Sequence, residues 1–187
     1  MSRTDGRDYK RIVVKAGTSL LTKGTNNLDL QIVNSLVDQI ASLQLKGKEM
    51  ILVSSGAVAA GREAINTLSQ IEESNFGSLP ERQVLAAVGQ GKLMHVYEQC
   101  FADHAILVAQ ALVSRRDVND RLGYLNLRNT LSALLNSGVI PIINENDVVA
   151  VEELAGEVFG DNDNLSALIA NLIDADLLLI LGTVEGM

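Results

Sequence analysis

The chain has 187 residues, 47% of them hydrophobic but only 3% aromatic and none of them Trp, so a single domain-sized core must be built from Val, Ile, Leu and Ala, as in strands covered on both faces by helices. A formal net charge of -8 argues against broad attraction to nucleic acid or an anionic membrane, both of which need clustered Lys and Arg. One cysteine, Cys100, leaves no internal disulfide, and no apolar run approaches the roughly 20 residues that span a bilayer, so a soluble cytoplasmic protein is expected.

Residues 1–10 form a polar extension, and 11–187 are read as one domain. The β-branched run RIVVKA, residues 11–16, ends at Gly17 and predicts a buried strand followed by a tight turn. Within residues 30–45, Val33, Leu36, Val37, Ile40 and Leu43 keep helical spacing, and Gly47 closes the pattern. Residues 50–53 predict a second strand, joined by Ser54, Ser55 and Gly56 to a helix that begins at once in the run from Ala57 to Ala60.

A loop is predicted over 66–77; Ser78-Leu79-Pro80-Glu81 then gives a capping box that opens a helix to about Ala102. A third strand over 106–108, a helix over 122–135 and a fourth strand over 139–143 follow. Pro141, near the middle of the fourth strand, predicts an irregularity or a sheet edge. Beyond it, 148–159 predicts a hairpin, 165–173 a helix and 177–181 a fifth, fully apolar strand. Alternating strands and helices predict an α/β fold, a three-layer sandwich with a mainly parallel central sheet and helices on both faces.

Ligands of open parallel sheets bind beyond the carboxyl ends of the strands. Lys15 lies inside the first apolar strand, where a cation is costly unless it meets an anion such as phosphate or snorkels to water. Gly17 permits close backbone approach, and Thr18 and Ser19 add hydroxyl and N–H donors. Ser54-Ser55-Gly56 is either a simple helix cap or a seat for a carboxylate or phosphate. In Gly160-Asp161-Asn162-Asp163-Asn164, two acids and two amides exceed what capping requires, which makes a ligand ammonium or a bound cation plausible. Neither a Walker pattern, a dinucleotide fingerprint, an EF-hand nor metal-ligand spacing is present, and His95 and His104 stand away from every strand end.

Five segments, VVKAGTS from Val13, SSGAVAAGR from Ser54, LAAVGQ from Leu85, INENDVV from Ile143 and GDNDNLSA from Gly160, together resemble the amino-acid kinase family and within it the glutamate 5-kinases, in order and approximate spacing. The resemblance runs from about Arg11 to the end. It implies ATP-dependent phosphorylation of the L-glutamate side-chain carboxylate to L-glutamyl 5-phosphate, the first step of proline biosynthesis, with Mg²⁺ brought by ATP. It also implies Lys15 on the transferring phosphoryl, Asp163 orienting Lys15, and Ser55, Gly56, Asp147 and Asn162 on glutamate.

Lys15, Gly17, Thr18 and Ser19, with Gly182 and Thr183 after the fifth strand, are the corresponding nucleotide contacts. The family commonly carries a hydroxyl residue and Asp in place of Gly182-Thr183, and a basic residue in place of Val158. A homo-oligomer and feedback binding of proline follow from the same resemblance. The family also continues beyond the equivalent of Met187, so an acceptor-binding portion with the nucleotide-binding portion largely missing is expected, one that binds ATP poorly. Another amino-acid kinase, acting on acetylglutamate or aspartate, and a non-catalytic glutamate- or proline-binding module are the alternatives.

Overall fold

The computed structural model of the chain describes residues 8–68, 79–149 and 162–183. Five strands, β1 (Arg11–Ala16), β2 (Glu49–Ser54), β3 (Val108–Val113), β4 (Ile140–Glu145) and β5 (Leu177–Leu181), pair in parallel in the order β3-β4-β2-β1-β5. Parallel neighbours need crossovers, and the helices supply them: α1 (Thr18–Leu21), α2 (Leu30–Leu45), α3 (Ala57–Leu68), α4 (Leu79–Ala102), α5 (Arg115–Asn119), α6 (Arg121–Asn136) and α7 (Asn162–Leu172).

Side chains alternate across a strand, and the core divides accordingly. Ile12, Val14, Met50, Leu52, Ile140 and Ile142 pack against α2, α3 and α4, whereas Val13, Ile51, Val53 and Ile143 pack against α6 and α7. The result is the three-layer α/β sandwich expected from the alternation of elements.

Pro141 is an irregularity and not an edge, since β4 lies between β3 and β2. The Ile140 N–H donates to Leu107 O on the β3 side at 3.0 Å, so the next residue faces β2, and there proline has no N–H to give. Pairing with β2 accordingly covers only Leu52↔Ile142 and Val53↔Ile143.

Other boundaries also differ from expectation. The third strand begins at Val108, where the predicted one ended, because the turn after α4 uses Ala105 at φ 55° and returns the Ile106 N–H to Phe101 O at 3.1 Å. Residues 66–68 extend α3 into the predicted loop. Helix α5 was not anticipated, although Ser114 and Asp117 form a full capping box at its start. β5 is an outer strand, and Leu179 and Ile180 are 38% and 52% exposed despite their apolar run. Ser78, Val158, Gly160, Asp161 and all but Val148 and Val149 of the predicted hairpin lie outside the described residues, while Val148 and Val149 themselves sit in a turn.

Two features set the edges of the sheet. At the amino edge, Asp176 Oδ2 accepts from the Lys10 and Arg11 N–H groups, both at 2.8 Å, and Arg11 Nε donates to Glu49 Oε2 at 2.7 Å. These contacts bind β5, β1 and β2 together. At the other edge, β1 leads through α2 to β2 on one side, while α7 leads back to β5 on the other. The order therefore reverses at β1, and a ligand crevice is expected above its carboxyl end.

Helices α3 and α4 cross with almost no side chain between them. A Cβ on Gly61 would lie 1.9 Å from Leu85 O, and one on Gly89 would lie 1.8 Å from Ala57 O. Below the crossing, the buried Tyr97 hydroxyl meets Ser54 Oγ at 2.7 Å, and burial pushes this phenol well above the usual tyrosine range.

Candidate functional site

A cleft of about 110 Å³ opens at the carboxyl edge of the sheet. Thr18, Ser55, Gly56, Asp147 and Asn162 line it, so five of the residues singled out in the sequence meet here. The first turn of α3, Ala57 to Ala59, forms one wall, and Arg82, Asn144 and Glu145 complete the lining.

The wall at α3 is built by Gly56. Its φ of +104° is a conformation that L side chains rarely adopt, and a Cβ would also press on Leu28 Cδ2 at 3.2 Å. The turn brings Ser55 N to Ala16 O at 3.0 Å, tying it to β1, and leaves the leading amides of α3 without intrahelical acceptors. Ser54 Oγ donates to Ser55 O at 2.9 Å, so the Tyr97 hydroxyl is the donor in their contact.

Asn162 opens α7 and reaches over the sheet edge. Its Nδ2 donates to Ser55 Oγ at 2.6 Å and to Asn144 Oδ1 at 3.1 Å. Asn144 Oδ1 also accepts from Glu145 N at 2.9 Å, and Asn144 Nδ2 donates to Gln90 Oε1 at 2.9 Å. Asn162 Oδ1 is buried without a hydrogen-bond partner. An unmet buried acceptor costs about 1–3 kcal/mol, which a ligand N–H would relieve.

Lys15 follows Val13 on the α7 face of β1 and is 8% exposed. Its Nζ lies 2.5 Å from Asp163 Oδ1 in an ion pair. Gly17 makes room for it, since a Cβ there would sit 3.1 Å from Nζ. Ser19 is exposed on α1 beyond Gly17, and Gly182 and Thr183 are exposed just past β5, whose final residue Leu181 presents its carbonyl to Gly17. These residues, with Lys15 and Asp163, stand beside the cleft and not in its lining.

The two histidines are elsewhere. His104 Nε2 meets Asp38 Oδ1 at 2.8 Å, and His95 lines a separate apolar groove with Leu28 and Leu30. Among the described residues, no group of three or more His, Cys, Asp or Glu is placed to hold a metal ion, and no helix is long and apolar enough to cross a membrane.

Sequence reasoning assigned no role to Arg82, Gln90, Asn144 or Glu145. Asn144 and Glu145 lay within the INENDVV segment, and Gln90 is a polar side chain within the apolar helical segment LAAVGQ, a signal that could have been followed. Arg82 carried none, because a first-turn arginine is ordinary until the helix direction is known.

Residues 10–187 match the amino acid kinase family. Among curated relatives, a glutamate 5-kinase of Dehalococcoides mccartyi is 55% identical over 183 residues, covering 98% of this chain and 48% of the relative. A glutamate 5-kinase of Caldanaerobacter subterraneus subsp. tengcongensis is 50% identical over 95% of this chain and 45% of its own length. One from Pelobacter propionicus is 47% identical over 100% of this chain and 48% of its own. The chain thus spans about half the length of the curated relatives it matches.

Proposed function

Because the chain belongs to the amino acid kinase family, we propose that its cleft holds L-glutamate for ATP-dependent phosphorylation of the side-chain carboxylate, giving L-glutamyl 5-phosphate, the first step of proline biosynthesis. One observation carries this reading: the cleft offers both donor and acceptor chemistry for an amino acid. The Ser55 hydroxyl and the leading amides of α3 suit a carboxylate, while the unmet Asn162 Oδ1 and the Asp147 carboxylate suit an ammonium group.

A carboxylate with an ordinary value of about 4.3 is already ionised at neutral pH, so the reaction needs no general base. Catalysis rests on alignment and charge neutralisation. Lys15, held by Asp163 at 2.5 Å in the space that Gly17 leaves, would neutralise charge on the transferring group. Gly17, Thr18, Ser19, Gly182 and Thr183 are the proposed nucleotide contacts, and a cation with hydroxyls beside a glycine fits a phosphate. ATP supplies the γ-phosphoryl group, with Mg²⁺ bound to it. A cytosolic setting, a homo-oligomer and feedback binding of L-proline belong to the same proposal.

Calorimetry with L-glutamate, N-acetyl-L-glutamate and L-aspartate tests the acceptor. Selective binding of L-glutamate is expected, and preference for the acetylated compound, which has no ammonium group, would overturn the assignment. Titration with Mg-ATP separates a kinase from an acceptor-binding module, which would bind glutamate or proline alone. Glutamate-dependent ADP release by a polypeptide of the relatives' length completes the test.

A further inference from the structure

We propose that Gln90 is a positioning residue for the acceptor: acting through Asn144 and Asn162, it makes the Ser55 hydroxyl a hydrogen-bond donor to the ligand carboxylate. This rests on the acceptor reading above and adds a residue that lies behind the cleft lining.

Gln90 is 8% exposed on α4 and Asn144 is 3% exposed at the end of β4, so the contact between them is buried. Asn144 has an acceptor end and a donor end, and each is claimed. Glu145 N requires Oδ1 at 2.9 Å, and Gln90 Oε1 takes Nδ2 at 2.9 Å. With Oδ1 so directed, Asn162 must present Nδ2 and not its oxygen, at 3.1 Å.

The other Nδ2 hydrogen of Asn162 then reaches Ser55 Oγ at 2.6 Å. A hydroxyl that has accepted in this way turns its own proton elsewhere, and Ser55 lines the cleft beside the α3 amides. The same polarity directs Asn162 Oδ1 away from both partners. Gln90 thus sets the donor that the ligand meets. Without it, Asn144 Nδ2 is a buried donor with no acceptor, and the Glu145 N–H alone holds the amide.

Two variants and two readouts decide the matter. Gln90→Met keeps the shape and loses the acceptor, while Gln90→Glu keeps an acceptor oxygen. L-glutamate binding, measured by calorimetry on the whole chain, is expected to weaken about tenfold in Gln90→Met and to recover most of that loss in Gln90→Glu. In a Ser55→Ala background, Gln90→Met is expected to add less than about twofold, because the group it orients is gone. Losses that multiply in the double variant, or Gln90→Met binding within twofold of the parent, would overturn the relay.

The second readout needs no ligand. The side-chain NH₂ resonances of Asn144 and Asn162 are expected to move in Gln90→Met, with the backbone amides of α7 unchanged. Unmoved Asn162 signals reject the relay. If the parent chain fails to bind L-glutamate, the functional reading fails, and these resonances still decide whether Gln90 orients Asn162.

Discussion

An ammonium group inside a β-strand is tolerated only where a counter-charge meets it, and Lys15 meets Asp163 across the carboxyl edge of β1. Lys15→Met is therefore expected to act twice. In a polypeptide of the relatives' length it should lower kcat by about 10²-fold or more, with little change in the glutamate KM, because under the proposed reaction the cation would serve the transferring group and not the resting acceptor. It should also cost about 1–2 kcal/mol of stability by denaturant unfolding, less than a fully enclosed pair because the Asp163 side chain is 41% exposed. Arg82 sits at the cleft mouth and has a planar fork suited to a carboxylate. Arg82→Met is expected to weaken L-glutamate binding by about three- to tenfold in calorimetry and to leave Mg-ATP binding unchanged. Lys15 and Gly17 could be picked out in the sequence because a cation and a glycine interrupt an apolar strand at its ligand-binding end. Arg82 could not, since its direction depends on how α4 is turned against α3.

That turn is set by close backbone contact, which periodicity alone does not reveal. Gly89→Ala places a methyl group 1.8 Å from Ala57 O, so the helices must separate. A loss of about 1–3 kcal/mol is expected by urea unfolding, together with weaker acceptor binding. Gly91, two residues on in the same helix, has open space where a Cβ would point, with nothing within 4 Å. Gly91→Ala should therefore stabilise by about 0.5–1 kcal/mol, the ordinary gain of alanine over glycine in a helix. Helices α2 and α6 were readable because apolar spacing and closing signals agreed in each. β3 was misplaced because its Ala-Gln-Ala interior lacks the β-branched residues that mark a strand, while its preceding turn borrows apolar residues. Pro141 signals either an irregularity or an edge, and which of the two holds depends on the strand order.

At the scale of the whole molecule, acid sensitivity should begin at the amino edge of the sheet. Burial raises Glu49, but the Arg11 and Lys10 side chains outweigh it and hold the carboxyl below its ordinary 4.5. The Arg11 and Lys10 N–H groups likewise hold Asp176 below 3.8. Ser114 lowers Asp117 in its capping box, and Lys23 lowers Asp29. A carboxyl whose folded value is depressed adds stability in full above its unfolded value and loses it as pH falls through the folded one. The melting temperature should therefore be flat from pH 7 to about pH 5 and fall below about pH 4.5, and Asp176→Asn should flatten that fall. The α/β class and the gathering of Thr18, Ser55, Gly56, Asp147 and Asn162 at the carboxyl edge were legible because element alternation and the residues after each strand are local facts. The order β3-β4-β2-β1-β5 was not, because similar apolar strands carry no mark of their neighbours.

The contact between Gly61 and Gly89 also governs how movement passes through the protein. Most helix pairs are separated by side chains that can change rotamer and absorb a small displacement. Here backbone bears on backbone, so α3 and α4 have no compliant layer between them. A shift of α4 at the crossing would bear directly on the first turn of α3, and hence on the wall of the cleft. The crossing joins the surface helix to the wall of the cleft through backbone alone.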